Sequence, residues 1–131
     1  MSTVTPSLSA GLAQLKALTE FIDQGSNNAT FAFYSDTKPM DTTVLADESK
    51  RLVTMTFPKP SFKITNMDSV ELNQTDAAVV LKDGDAVWGR LYNGSGLAVA
   101  DFTVGDHITL NNPQLVSGST LMLSSIILRP Q

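Results

Sequence analysis

The hydrophobic pattern of this chain changes its period once, from that of a helix to that of β-strands. Near the N-terminus, large aliphatic residues recur on one helical face between Ser7, a predicted N-cap, and Gly25, a residue type that commonly ends helices. This spacing predicts an amphipathic helix over about residues 8–24. Such a stripe has to be buried against a sheet of the same chain or against a partner subunit. Its members are therefore candidate interface residues: Leu8, Leu12, Leu15 and Ile22.

After the helix, apolar and polar residues alternate, as expected for strands that are buried on one face. The alternation is clear at Phe31 and Phe33 and again over residues 51–57. Proline cannot donate a ladder hydrogen bond, so the Pro-Lys-Pro run at 58–60 predicts a corner or a crossing between sheets. Farther on, Asp83-Gly84 and Asn93-Gly94 are both typical of β-hairpins.

About eight or nine short strands with frequent turns predict a mostly β fold, an antiparallel β-sandwich or barrel-like arrangement with one N-terminal amphipathic helix. The length of 131 residues predicts a single domain. Within it we expect an N-terminal arm over 1–6, the helix over 7–25 and the β-sandwich over 29–130. The longest stretch without a strand pattern, from Asp36 to Lys50, is a candidate contact element, because long loops in small domains often have a function.

Composition excludes several classes of function. The chain has 9 Lys and Arg against 13 Asp and Glu, a net charge of -4, which is opposite to the basic surface that nucleic-acid binding requires. It has no Cys, so disulfides, thiolate nucleophiles and Cys-based zinc sites are excluded. No stretch approaches the length of a transmembrane helix, and the N-terminus lacks the pattern of a secretory signal. We therefore expect no nucleic-acid or membrane partner and synthesis in the cytoplasm.

Catalytic and metal-binding patterns are weak. His107, next to Asp106, is the one histidine. No Gly-x-Ser-x-Gly motif accompanies it, so we interpret it as a surface or capping group and not as part of a Ser-His-Asp triad in a hydrolase. Asp83 and Asp85 flank Gly84, and we attribute the two carboxylates to a tight turn, which favours Asp, and not to a glycosidase pair or a calcium loop. The sequence predicts no catalytic residue, metal ligand or cofactor-binding residue, and hence a protein that is not an enzyme.

Trp88, Arg90 and Tyr92 share one face of a predicted strand. Three interpretations of this face are open. The aromatic rings form a carbohydrate platform, or Trp88 lies in the core with Arg90 stacked or paired to a carboxylate, or the three residues belong to a subunit interface, where these residue types are enriched.

Six segments form one pattern, in order and spacing, over nearly the whole chain. They are the helix end Phe21-Ile22-Asp23-Gln24-Gly25, the strand Phe31-Ala32-Phe33-Tyr34 leading to Lys38-Pro39, the corner Phe57-Pro58-Lys59-Pro60-Ser61-Phe62, the run Ala86-Val87-Trp88-Gly89-Arg90-Leu91-Tyr92-Asn93-Gly94-Ser95-Gly96, the run Val99-Ala100-Asp101-Phe102-Thr103-Val104-Gly105, and the strand Leu123-Ser124-Ser125-Ile126-Ile127-Leu128-Arg129-Pro130. In these segments the chain resembles small, mostly unannotated virion structural proteins of tailed bacteriophages.

The resemblance implies a non-enzymatic virion component, such as a capsid decoration or minor capsid protein, or one at the head-tail junction, tail or baseplate. Its expected partners are further copies of itself and other virion proteins such as the major capsid protein. It transfers no catalytic residue and no cofactor. The alternative is a carbohydrate-binding module that uses Trp88, Arg90 and Tyr92 to bind a glycan.

Overall fold

The computed structural model of the chain describes residues 7–66, 69–106, 108, 110, 112–124 and 126–128. Within this part, one helix precedes eleven short strands, which pair antiparallel in four sheets. The elements are α1 (Leu8–Ile22), β1 (Thr30–Tyr34), a 3-10 turn (Glu48–Lys50), β2 (Arg51–Thr56), β3 (Phe62–Asn66), β4 (Ser69–Leu72), β5 (Ala78–Val79), β6 (Gly84–Asp85), β7 (Trp88–Tyr92), β8 (Ala98–Thr103), β9 (Gln114–Leu115), β10 (Thr120–Leu121) and β11 (Ile126–Leu128). The prediction of a mostly β fold with one N-terminal helix is confirmed.

Helix α1 begins and ends close to where the sequence predicts. The Ser7 side chain accepts a hydrogen bond from the backbone N–H of Ala10 (3.2 Å), so it is the N-cap. The helix ends at Ile22, two residues early, and Gly25 follows with a φ of 109°. Among the residues described, no helix is long and apolar enough to cross a membrane.

The structure describes the side chains of two of the four candidate interface residues of α1. Leu15 and Ile22 are buried inside their own chain, and Ile22 belongs to the main hydrophobic core. The helix contacts strand β4. The side chains of Leu8 and Leu12, and the predicted arm over 1–6, lie outside the described residues.

The largest sheet has the strand order β2-β1-β7-β8. Its β7–β8 connection confirms the hairpin predicted at Asn93-Gly94. The Asn93 side chain closes the turn by accepting two backbone hydrogen bonds, and the positive φ (85°) occurs at Gly96, not at Asn93 or Gly94 as expected for an Asn-Gly turn. Gly94 is required for another reason: a Cβ there would overlap the backbone of Asn27, in the loop after α1.

The hairpin predicted at Asp83-Gly84 is wrong. Strand β7 already lies between β1 and β8, so the preceding segment cannot pair with it. Instead β5 pairs with β10, and β6 pairs with β9 through Gly84 and Leu115. Asp83 accepts a hydrogen bond from the backbone of Ser117 (2.7 Å), so its carboxylate stabilises this non-local pairing.

The Pro-Lys-Pro run at 58–60 forms the predicted crossing between sheets. It leads from β2 in the four-stranded sheet to β3 in the three-stranded sheet, whose order is β11-β4-β3. One core lies between the sheets in a sandwich-like arrangement, because residues from three sheets belong to the same buried cluster and Ala78 and Leu121 of the β5–β10 sheet pack against it. Its members include Phe31, Phe33, Val53, Met55, Leu72, Val80, Leu91, Leu115 and Ile126.

Gly89 generates a prediction about this core. A Cβ at Gly89 would overlap the Phe31 ring, whereas one at Gly84 would meet only the flexible end of Leu52 (3.0 Å). We expect Gly89→Ala to lower the free energy of unfolding by about 1–3 kcal/mol, as overpacking does. The control Gly84→Ala is expected to change it by about 0–1 kcal/mol. Urea denaturation of both variants tests this, and equal losses would contradict it.

Candidate functional site

The face of the four-stranded sheet that points away from the main core is aromatic and polar. Residues of alternate parity on β1 and β7 form it: Ala32, Tyr34, Trp88, Arg90 and Tyr92. We call this surface the outer face. Residues 36–50, which connect β1 to β2 and which we call the strap, lie over it. Contacts from Asp36, Asp41, Val44 and Ala46 to the outer face establish this cover.

Arg90 lies at the centre of the contacts between sheet and strap. Its Nε and Nη2 atoms donate to the two carboxylate oxygens of Asp101, at 2.6 and 3.0 Å, from the directly opposite position on β8. Its Nη1 atom donates to the carbonyl of Val44 (2.7 Å), and Nη2 also reaches the carbonyl of Asp41 (3.4 Å). The side chains of Arg90 and Asp101 are 2% and 5% exposed, so the charges form a buried bidentate pair.

The hydrogen bond with Asp101 is the main reason that the pKa of Arg90 is raised above its ordinary value, against the opposing effect of burial. Because the guanidinium remains charged, removing Asp101 would leave an uncompensated charge in the interior. The planar group also lies over the Trp88 ring, with its Cζ atom 5.2 Å from the ring centroid. Arg90 is therefore held by charge, hydrogen bonds and stacking together.

Aromatic side chains complete the outer face. Tyr34 stacks on Trp88, with ring centroids 4.5 Å apart and an interplanar angle of 19°. The Trp88 Nε1–H group donates to the Asp36 carboxylate at the start of the strap (2.9 Å). The hydroxyls of Tyr34 and Tyr92 form a hydrogen bond of 2.8 Å. The indole N–H group and the two hydroxyls therefore each have a hydrogen-bond partner, as buried polar groups usually do.

Short turns give the strap its own local order. The Asp41 carboxylate accepts hydrogen bonds from the backbone and hydroxyl of Thr43, and Asp47 does the same with Ser49. These bonds lower the pKa values of both carboxyl groups below their usual range. The Ser35 N–H group closes the base of the strap by donating to the carbonyl of Lys50 (3.1 Å).

The strap has an inverted polarity. Backbone carbonyls of Asp41 and Val44 face inward to Arg90, whereas apolar side chains face solvent. Met40 is 95% exposed, Leu45 91% and Val44 49%. We call these three residues the strap tip. Met40 and Leu45 are the most exposed of the large apolar side chains that the structure describes.

The structure decides between the interpretations of Trp88, Arg90 and Tyr92. The predicted common face is confirmed, but Trp88 is fully buried, Arg90 is 2% exposed and Tyr92 is half-buried. Arg90 stacks on Trp88 and pairs with a carboxylate, which is the core interpretation. The strap covers Trp88 and Arg90, so in the folded chain these two side chains are not exposed to a glycan or to a partner subunit, and Tyr92 is exposed only in part.

Sequence reasoning singled out the 36–50 segment as a contact element but missed the strap tip. The available signal was three large apolar residues within a segment that has no strand or helix periodicity. His107, the hydrolase candidate, lies outside the described residues. Among the residues that are described, no group of three or more His, Asp or Glu side chains is placed to hold a metal ion.

Comparison with known proteins finds no matching family model, no matching curated sequence and no matching solved structure. Fold and site together define a small, mostly β protein in which an ordered strap presents an apolar tip.

Tyr34 generates a pH prediction. Burial is the main cause that raises its pKa far above the ordinary 10.0, with the Tyr92 hydrogen bond adding to it. The unfolded state then loses a proton above about pH 10 that the folded state retains, so stability should fall as pH rises. Relative to Tyr34→Phe, the wild type should lose up to about 1.4 kcal/mol per pH unit there. Urea denaturation across about pH 9–11 tests this, and parallel stability curves would contradict it.

Proposed function

We propose that this chain is a non-enzymatic structural protein that assembles through its strap tip. The observation that carries the proposal is the near-complete exposure of Met40 and Leu45 on a strap held in place from below by Arg90. Because Arg90 already holds the strap backbone, a partner that covers the strap tip does not have to order this loop, which lowers the entropic cost of association. The strap tip therefore has the properties of a preorganised interface.

The partner that we propose for the strap tip is another copy of this chain. Soluble oligomers are mostly homo-oligomers, and a surface that is apolar at its tip gains stability when water is removed from it. Other virion proteins, such as the major capsid protein, are the further partners proposed for the assembled form.

The proposed setting is the virion of a tailed phage, reached after synthesis in the bacterial host cytoplasm. The resemblance of the β7–β8 hairpin region and of the 57–62 corner to small virion proteins supports it. The net charge of -4 supports an outer position, where the chain does not face packaged DNA. A capsid decoration or minor capsid role is the first proposal, and the head-tail junction or tail is the variant of the same class.

The self-association proposal predicts that the pure protein forms oligomers. We expect the double variant Met40→Ser/Leu45→Ser to weaken self-association by at least about tenfold, the effect of losing central apolar contacts. The matched control is Leu81→Ser/Val116→Ser, which removes two exposed apolar side chains outside the strap. Size-exclusion chromatography with light scattering over a concentration series measures both. A wild-type monomer at every concentration, or equal weakening by the control, would overturn this assignment.

The virion setting predicts that the chain is part of the mature particle. Antibodies against the purified protein should label particles of the encoding phage in immunogold electron microscopy, on the head surface for a decoration protein and on the tail for the variant. Particles purified away from lysate proteins are the material to use. Absence of the chain from such particles, confirmed by mass spectrometry, would contradict the proposal.

A further inference from the structure

We infer that Arg90 is a positioning residue that keeps the strap ordered. It thereby raises the self-association affinity of the strap tip, whose side chains it does not contact. The first half of this inference depends only on contacts within the chain. The second half rests on the proposed self-association through the strap tip. The two halves make separate predictions.

The strap has little apolar attachment of its own. Of its residues, Ala46 is the one that packs, partly buried, against the Tyr34 and Trp88 cluster. The larger apolar side chains of the strap tip face solvent. Hydrophobic burial therefore contributes little to holding the strap. Its position depends on polar contacts with the outer face and, near its C-terminal end, on the hydrogen bond from Lys82 Nζ to the Ser49 carbonyl (2.6 Å).

Arg90 donates hydrogen bonds to strap carbonyls at or next to the strap tip. Its bond to the Val44 carbonyl fixes the peptide group that joins Val44 to Leu45, and its bond to the Asp41 carbonyl fixes the residue after Met40. Each bonded carbonyl therefore belongs to, or directly adjoins, a residue of the strap tip. The orientation of Met40 and Leu45 follows from where the guanidinium points.

Asp101 determines where the guanidinium points. It occupies Nε and one Nη2 proton in a bidentate pair, which directs Nη1 toward the strap. A lysine would retain the charge and could still pair with Asp101, but its single ammonium group lacks the planar fork that reaches the carboxylate and the strap carbonyls together. The inference therefore concerns geometry and not charge alone.

Hydrogen exchange followed by mass spectrometry tests the order of the strap in the full chain. We expect strap amides to exchange at least about tenfold faster in Arg90→Lys, because the loss of such bonds is worth a factor of this size. The variant Arg90→Met/Asp101→Leu removes both charges, so no unpaired charge is left to unfold the protein. It should show the same acceleration, with protection in β1 and β7 retained.

The matched control is Leu91→Ala, on the same strand but facing the main core. It lowers global stability without touching the strap, so under native conditions its strap exchange should remain near that of the wild type. Strap exchange at the wild-type rate in both Arg90 variants would overturn the inference. So would equal acceleration in Leu91→Ala, which would show that strap order follows global stability.

Self-association of the same variants tests the second half. Faster exchange of the strap amides, together with self-association that is at least about tenfold weaker, supports both the positioning role and the strap-tip interface. Faster exchange of the strap amides with unchanged self-association supports the positioning role and overturns the proposed interface. Unchanged strap exchange overturns the positioning role whatever the association constant is.

Discussion

The buried guanidinium of Arg90 is the constraint on which the outer half of this protein depends. A charge that is taken out of water destabilises the fold unless hydrogen bonds and an opposite charge replace the solvent. Asp101, directly across the β7–β8 ladder, supplies the charge, and strap carbonyls accept hydrogen bonds from Nη1 and Nη2. The strap thus lies where it does because an arginine in the middle of a sheet needs acceptors above it.

The two faces of the four-stranded sheet consequently use different forces. On the inner face, Phe31, Phe33 and Leu91 pack into a shared core, where stability comes from apolar burial. On the outer face, Arg90 requires acceptors in defined directions, and the strap that covers it presents backbone oxygens there. Where the strap turns the carbonyls of Asp41 and Val44 inward, the side chains of the strap tip face solvent. The exposed strap tip is in this sense a consequence of the polar face beneath it.

Local signals predicted the parts of the fold that local forces determine. The Ser7 cap, the end of α1 before Gly25 and the Asn93 turn all depend on contacts a few residues apart, and all are present. The Asp83-Gly84 step carries an equally clear turn pattern, but strand order overrides it. Whether two neighbouring strands pair is decided by which edges of the sheet remain open, and a sequence pattern holds no information on that.

The candidate site, like the fold, was predictable from the sequence only in part. The sequence by itself determined that Trp88, Arg90 and Tyr92 share a face, because side chains alternate along any strand. It also marked residues 36–50 as a long segment without periodicity. Only the tertiary structure decided that this segment covers that face, that Asp101 pairs with Arg90 and that Met40 and Leu45 point to solvent. These outcomes depend on contacts between residues 11 to 52 positions apart, which chain folding creates and local spacing cannot encode.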